Sequence, residues 1–318
     1  MSYLFGINST ILGENEENLL KTCDLYGIVL FSRNIQSPEQ VKYLIKDIKN
    51  KLGNSVKICV DQEGGRVQRI NFTQKYPSSL EFSQKFQQEN SAAEEFMQKN
   101  VENMSRELKT LGFDINFAPV LDLFYKVETN LISDRSYGEN PDFVSKMCEK
   151  FIKFSQNEGI ECVLKHIPGH GRANIDSHLD LPVITADLAQ LNQMDFVPFV
   201  KLSPICKLAM TAHVIFTALD AEKPFTISKK AIDYIKNLCP GVKIMTDAIE
   251  MGALVKFYNK NLESQYSNVN FYEKSTTGKQ ELLEILAKIA SQCQNSGCDI
   301  TMHCSGNFEE MRAILQKI

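Results

Sequence analysis

The chain has no tryptophan, no Cys-x-x-Cys pair and no apolar run approaching the roughly 18–20 residues that span a bilayer. Its nine cysteines are an odd number, scattered along the chain. Cys59 in VKICVD and Cys162 in ECVLKH lie inside apolar runs, where a thiol behaves as a small hydrophobe. A disulfide framework and a cysteine zinc site are therefore not expected, and a reducing compartment is. Any excess of positive charge is missing too: the net charge is -4, so neither nucleic acid nor an anionic membrane is an expected partner. The N-terminal Met-Ser-Tyr-Leu-Phe-Gly-Ile-Asn lacks a basic segment and a small-residue cleavage site, which points to a cytoplasmic protein.

What is present is ordinary globular material: 318 residues, 43% hydrophobic and 23% charged, enough for one large α/β domain. Short apolar runs alternate with amphipathic stretches. The strand candidates are Tyr3–Ile7, Gly27–Phe31, Val56–Val60, Asp114–Val120, Glu161–His166, Leu208–His213, Val242–Thr246 and Asp299–Cys304. Helical periodicity covers Pro38–Leu52, Ala92–Leu111, Asp142–Glu158, Lys229–Leu238 and Gln280–Cys293. Continuous hydrophobicity within the strand candidates suits parallel strands covered on both faces. The repeat predicts a single-domain (β/α)8 TIM-type barrel over 1–318, with an open doubly wound sheet as the other architecture. One stretch, Lys256–Lys279, is rich in Asn, Ser, Tyr and Lys and has no period. It reads as a surface insertion. Its Thr276-Thr277-Gly278-Lys279 is not a phosphate loop, because Gln280 stands where Ser or Thr is required.

Nearly every strand candidate ends in reactive polar residues, as expected where a barrel builds its active site at the carboxyl ends of its strands. Val56–Val60 runs into Asp61-Gln62-Glu63, Asp114–Val120 leads to Asp122, Glu161–Leu164 to Lys165-His166, Leu208–Ala212 to His213, and Val242–Thr246 to Asp247. The densest cluster is Lys165-His-Ile-Pro-Gly-His-Gly-Arg-Ala-Asn-Ile-Asp-Ser-His178, where Pro168, Gly169 and Gly171 force turns. Within it, Asp176 can hold one ring nitrogen of His178 and leave the other to give or accept a proton. Asp247 is a candidate nucleophile or ligand, or alternatively the N-cap of a following helix. Asp61 and Arg69 flank a Gly-Gly turn and together suit hydroxyl groups, which need acceptors and donors, although a salt-bridged surface loop would look the same. Asp134-Arg135 beside Tyr137 is another such charged pair.

Taken together, Gly27–Asn34, DQEGGRVQR, NFAPVLDL, SDRSYG, KHIPGHG-x4-DSH, Ala212-His213-Val214, TDAIEM and Gly297-Cys298-Asp299 resemble glycoside hydrolase family 3. The resemblance is specifically to its single-domain bacterial cytosolic β-N-acetylglucosaminidases of peptidoglycan recycling. The resemblance implies Asp247 as a nucleophile forming a covalent glycosyl-enzyme, His178 as acid/base and Asp176 as its partner. It implies that Asp61, Arg69, Arg135, Lys165 and His166 hold the hydroxyls of N-acetylglucosamine. A retaining reaction on a small carbohydrate of muropeptide type, no cofactor, no metal and a monomer are the corresponding expectations, with phosphate conceivable as acceptor in place of water. This chain departs from the family pattern at Ala248, where a second aspartate is usual, at Ile249 and at Tyr137. Two other readings stand beside it. A metal-dependent amidohydrolase barrel would need a His-x-His at the first strand end, where Phe5-Gly6-Ile7-Asn8 stands. A catalytically weakened sugar-binding barrel is suggested by Ala248.

Overall fold

In the computed structural model, residues 2–88, 92–127, 131–259 and 276–316 are described. Eight parallel strands form the barrel: β1 (Ser2–Gly6), β2 (Leu25–Leu30), β3 (Lys57–Val60), β4 (Ile115–Asn116), β5, β6 (Leu208–Thr211), β7 (Lys243–Met245) and β8 (Ile300–His303). The fifth strand is broken at Val163 into Glu161–Cys162 and Leu164–Ile167; its first half pairs with β4 and its second with β6. Because β8 also pairs with β1, the ladder runs round to the fifth strand from both sides and the barrel is nearly closed.

Side-chain alternation divides the apolar residues into two cores. Leu4, Val29, Cys59, Ile115, Val163, Met210, Met245 and Met302 pack together inside the barrel. Their neighbours Phe5, Ile28, Ile58, Leu164, Ala209 and Ile244 belong to the larger core against the helices. Helix Pro38–Leu52 shows how that outer layer is specified. Ser37 accepts a hydrogen bond from the Gln40 amide, Pro38 fits the first turn, and Val41, Leu44, Ile45 and Ile48 form one buried stripe. Each of those side chains contributes on the order of 2 kcal/mol through burial.

The fourth strand is much shorter than Asp114–Val120. Pro119 has no amide hydrogen for the ladder, and the Asn116 side chain takes over the pairing, accepting from the Gln62 amide at 2.9 Å and donating to the Gln62 carbonyl at 2.8 Å. The aperiodic Lys256–Lys279 is also revised at both ends. Lys256 belongs to helix Gly252–Tyr258, and Thr276 begins helix Thr276–Ser296; the residues between, 260–275, lie outside those described.

The loop after β5 is fastened at its stem. Asp122, fully buried, accepts hydrogen bonds from the His166 amide at 3.2 Å, the His170 amide at 2.6 Å and His166 Nδ1 at 2.6 Å. His170 Nε2 lies 3.0 Å from Ser177 Oγ, tying the stem to the residue before His178. A Cβ on Gly171 would sit 1.9 Å from the Leu123 carbonyl oxygen, so only glycine permits this approach. On its far side the loop rests on the segment after β7: the Ala253 amide donates to the Ser177 carbonyl at 3.1 Å, and a Cβ on Gly252 would meet the His178 carbonyl at 2.5 Å.

Burial pushes His170 down to about 4 from 6.5, with His166 adding to the shift. The fold therefore accepts only the neutral ring. This contribution is complete above pH 6.5 and is lost as the pH falls from 6.5 towards 4, where the unfolded chain binds a proton that the native state refuses. Urea unfolding at pH 7 and pH 4.5 should show an acid loss of up to about 3 kcal/mol in the wild type that is markedly smaller in His170→Gln. Equal acid losses in the two proteins would show that His170 is not the group responsible.

Candidate active site

The inward alternation of the strands explains which polar residues converge. Cys59, Val163 and Met245 point into the barrel, and two residues further along each strand stand Asp61, Lys165 and Asp247. They open into a cavity of about 580 Å³ at the carboxyl ends of the strands, within the usual size of a small-molecule site. Seven of the sequence-predicted residues line it: Asp61, Arg69, Arg135, Lys165, His166, His178 and Asp247. Asp176 is not part of the wall and holds His178 through Nδ1 at 2.8 Å and through its amide at 2.9 Å.

Lys165 is only 1% exposed, and its ammonium is surrounded by carboxylates: Asp61 Oδ1 at 2.9 Å and Glu63 Oε1 at 2.5 Å. Glu63 also accepts from Nε and Nη2 of the Arg135 guanidinium, at 2.8 Å each. Burial acts to raise the Glu63 carboxyl, but Arg135 and Lys165 outweigh it and hold the group well below the usual carboxylate range. Burial likewise acts to lower Lys165, and Asp61 and Glu63 reverse it, so the ammonium stays charged. The other arm of Asp61 faces Arg69 at 3.6 Å, and that guanidinium stands 5.7 Å from the Phe31 ring centroid.

The turn bearing Asp61 is thus a buried ion network and not a salt-bridged surface loop. Glu63 stands in the polar ending of its strand candidate, but the sequence assigns it no role. The signal was the two-residue spacing of Asp61 and Glu63, which puts both on one side of an extended segment. Gly64, at φ 93°, lets the chain turn back there, with Pro77 so close that a Cβ would lie 2.1 Å from its carbonyl oxygen.

Asp247 is not a helix N-cap. The following helix begins at Gly252 with Met251 in the cap position, four residues beyond Asp247. Its Oδ1 accepts from the Ala248 amide at 2.7 Å, and its own amide donates to Thr211 Oγ1 at 3.3 Å. Burial acts to raise the carboxyl, but His213, His166, the Ala248 amide and His178 together bring it below its ordinary value. An ionised carboxylate therefore faces the cavity. Asp176 is lowered in the same way: burial opposes, and the amide and ring of His178 prevail. His178 is 63% exposed along its side chain, so it stands at the cavity mouth and not in its floor. Among the described residues, no group of three or more His, Cys, Asp or Glu is arranged to hold a metal ion, and no helix is long and apolar enough to cross a membrane.

Three kinds of similarity agree with this geometry. The glycosyl hydrolase family 3 N terminal domain matches residues 9–318. A beta-hexosaminidase of Actinobacillus pleuropneumoniae is 37% identical over 225 residues, covering 69% of this chain and 64% of that protein. Beta-hexosaminidase A of Pseudoalteromonas piscicida is 30% identical over 273 residues, 79% of this chain but 45% of its own length. The chain thus spans about half to two thirds of the length of these curated relatives. Among solved structures, a family 3 beta-N-acetylglucosaminidase from a Paenibacillus superposes with a TM-score of 0.84 at 26% identity, covering 99% of this chain and 55% of that one. NagZ from Neisseria gonorrhoeae, in complex with N-trifluoroacetyl-D-glucosamine, superposes with a TM-score of 0.82 at 28% identity, covering 99% and 84%. The nearly closed barrel, its polar strand ends and the match along almost its whole length make this chain a member of glycoside hydrolase family 3.

Proposed function

We propose that the protein is a retaining β-N-acetylglucosaminidase that removes terminal β-linked N-acetylglucosamine from muropeptide-type cell-wall fragments in the cytoplasm, acting as a single-domain monomer. The observation that carries this reading is that an ionised Asp247 and the Asp176-held His178 line one sugar-sized cavity, with hydroxyl-binding charges on the wall between them. The relatives named beta-hexosaminidase and beta-N-acetylglucosaminidase support the substrate class.

In this mechanism Asp247 attacks the anomeric carbon while protonated His178 donates to the departing oxygen. The neutral imidazole then takes a proton from water, which hydrolyses the glycosyl-Asp247 ester and restores the original configuration. Asp176 accepts from Nδ1, so Nε2 is the nitrogen that exchanges the proton. Asp122 orients His166 similarly, leaving its Nε2 for a sugar hydroxyl. Asp61 and Arg69 supply an acceptor and a donor, while Lys165 and Arg135 carry the positive charge that keeps Asp61 and Glu63 ionised. A histidine acid/base adds no second negative charge beside Asp247, which leaves phosphate admissible as an acceptor. Ala248 offers no polar side chain to the nucleophile, and the assays below also decide whether the protein only binds sugar.

With a nitrophenyl β-N-acetylglucosaminide, Asp247→Asn should lower kcat by at least about 10³-fold, and a 2-fluoro sugar should label Asp247 in the wild type. Undiminished turnover in Asp247→Asn would remove this reading; an inert wild type that still binds N-acetylglucosamine would favour the sugar-binding barrel. His178→Ala should cost about 10²–10⁴-fold in the step that needs an acid. That loss should shrink with a dinitrophenyl leaving group, which departs without protonation, and a loss independent of the leaving group would speak against His178 as the acid. Arg69→Met should raise KM by about ten- to a hundredfold, the worth of one charge-assisted hydrogen bond, with little change in Tm. An unaltered KM would place Arg69 outside the sugar contacts.

A further inference from the structure

His213 is 1% exposed, does not line the cavity and has no part in the chemistry above, yet it is wired to the nucleophile from two directions. Its Nε2 lies 3.0 Å from the Ala248 carbonyl oxygen. Its Nδ1 lies 2.7 Å from Thr226 Oγ1, which is 2.8 Å from Thr211 Oγ1, which in turn is 3.3 Å from the Asp247 amide nitrogen. The hydroxyls of Thr211 and Thr226 are fully buried.

The direction of every bond in this chain follows from which atoms can give a proton. A carbonyl only accepts, so Nε2 carries the hydrogen. Burial drives His213 below its ordinary value, and His178 and His166 push the same way against the pull of Asp247 and the Ala248 carbonyl. In the resulting neutral ring Nδ1 is an acceptor. Thr226 therefore donates to His213, Thr211 donates to Thr226, and the Asp247 amide donates to Thr211. The Ala212 carbonyl, 3.2 Å from Thr226 Oγ1, is the longer alternative for that one hydroxyl proton. One imidazole thereby holds the amide entering Asp247 and the carbonyl leaving Ala248, bracketing the nucleophile's turn. The side chain of Ala248 contributes no hydrogen bond of its own to that turn.

We propose that His213 is a positioning residue for Asp247, acting through Thr226 and Thr211 on one side and the Ala248 carbonyl on the other. It fixes the direction from which the carboxylate approaches the anomeric carbon, and it does not touch the sugar. The proposal rests on the assignment of Asp247 as nucleophile. An error of about 1 Å in the approach of a reacting group costs about 100-fold in rate, so the effect belongs in kcat and not in KM.

The test compares His213→Phe, His213→Gln and Thr226→Val with wild type and Asp247→Asn on the nitrophenyl substrate. Inhibition by N-acetylglucosamine and Tm are read in parallel. His213→Phe loses both contacts and should lower kcat by about 100-fold with KM and the inhibition constant nearly unchanged. His213→Gln, which carries a donor and an acceptor, should recover part of that rate. Thr226→Val keeps the shape, severs only the hydroxyl chain and should fall between them. Wild-type kcat in both His213→Phe and Thr226→Val, beside an inactive Asp247→Asn, would overturn the proposal and leave the nucleophile assignment intact. Parallel losses of kcat, sugar binding and Tm with no recovery in His213→Gln would overturn it as well, by assigning His213 to the packing alone. Full activity in Asp247→Asn would instead refute the nucleophile itself.

Discussion

An ammonium group removed from water costs several kcal/mol unless carboxylates surround it, and Lys165 imposes that demand on the mouth of this barrel. Asp61 and Glu63 meet it from the turn after β3, and Arg135 balances Glu63 from the segment after β4. The arrangement is mutual: removing Glu63 leaves the Arg135 guanidinium without its carboxylate and Lys165 with one carboxylate in place of two. Three segments distant in sequence are therefore held in one relation, and together they form the polar wall of the cavity.

The loop after β5 depends on a second fixed charge. Asp122 lies buried beneath it and takes hydrogen bonds from two amides and a ring of the same loop, so the stem is set even though His178 at its end is mostly exposed. Gly171 and Gly252 let the stem and the far side approach neighbouring carbonyls more closely than a Cβ allows. A firm base beneath an exposed His178 suits its proposed acid/base role, which requires reaching a glycosidic oxygen and then admitting water to the same place. On the opposite wall the backbone of the turn bearing Asp247, the proposed nucleophile, is held by the side chains of Thr211 and His213, which makes Ala248 compatible with an ionised, oriented Asp247.

The barrel was legible in the sequence because its cause is local and repetitive. Apolar strands buried on both faces read as continuous runs, and helices such as Pro38–Leu52 and Ala92–Leu111 carry their own stripes and termini. Strand length was less legible at β4, since an asparagine side chain there replaces backbone pairing that Pro119 cannot continue. The residues with reactive side chains at strand ends were legible as well. What some of them act on was not. Asp122 and His213 stand out at strand ends, but their partners lie 44 and 35 positions away, which no local pattern reports.

The sequence alone therefore determined the barrel class, the polar strand ends and the pairing of Asp176 with His178, because each depends on periodicity or on residues two positions apart. Tertiary structure decided the rest: that seven of the chosen residues share one cavity, that Glu63 completes the charge around Lys165, and that Asp247 is no helix cap. Those outcomes depend on closure of the strands into a ring, which brings the ends of β3, β5 and β7 together around a low-dielectric space. Only there do the distances between charges become short enough to select which of them stay ionised.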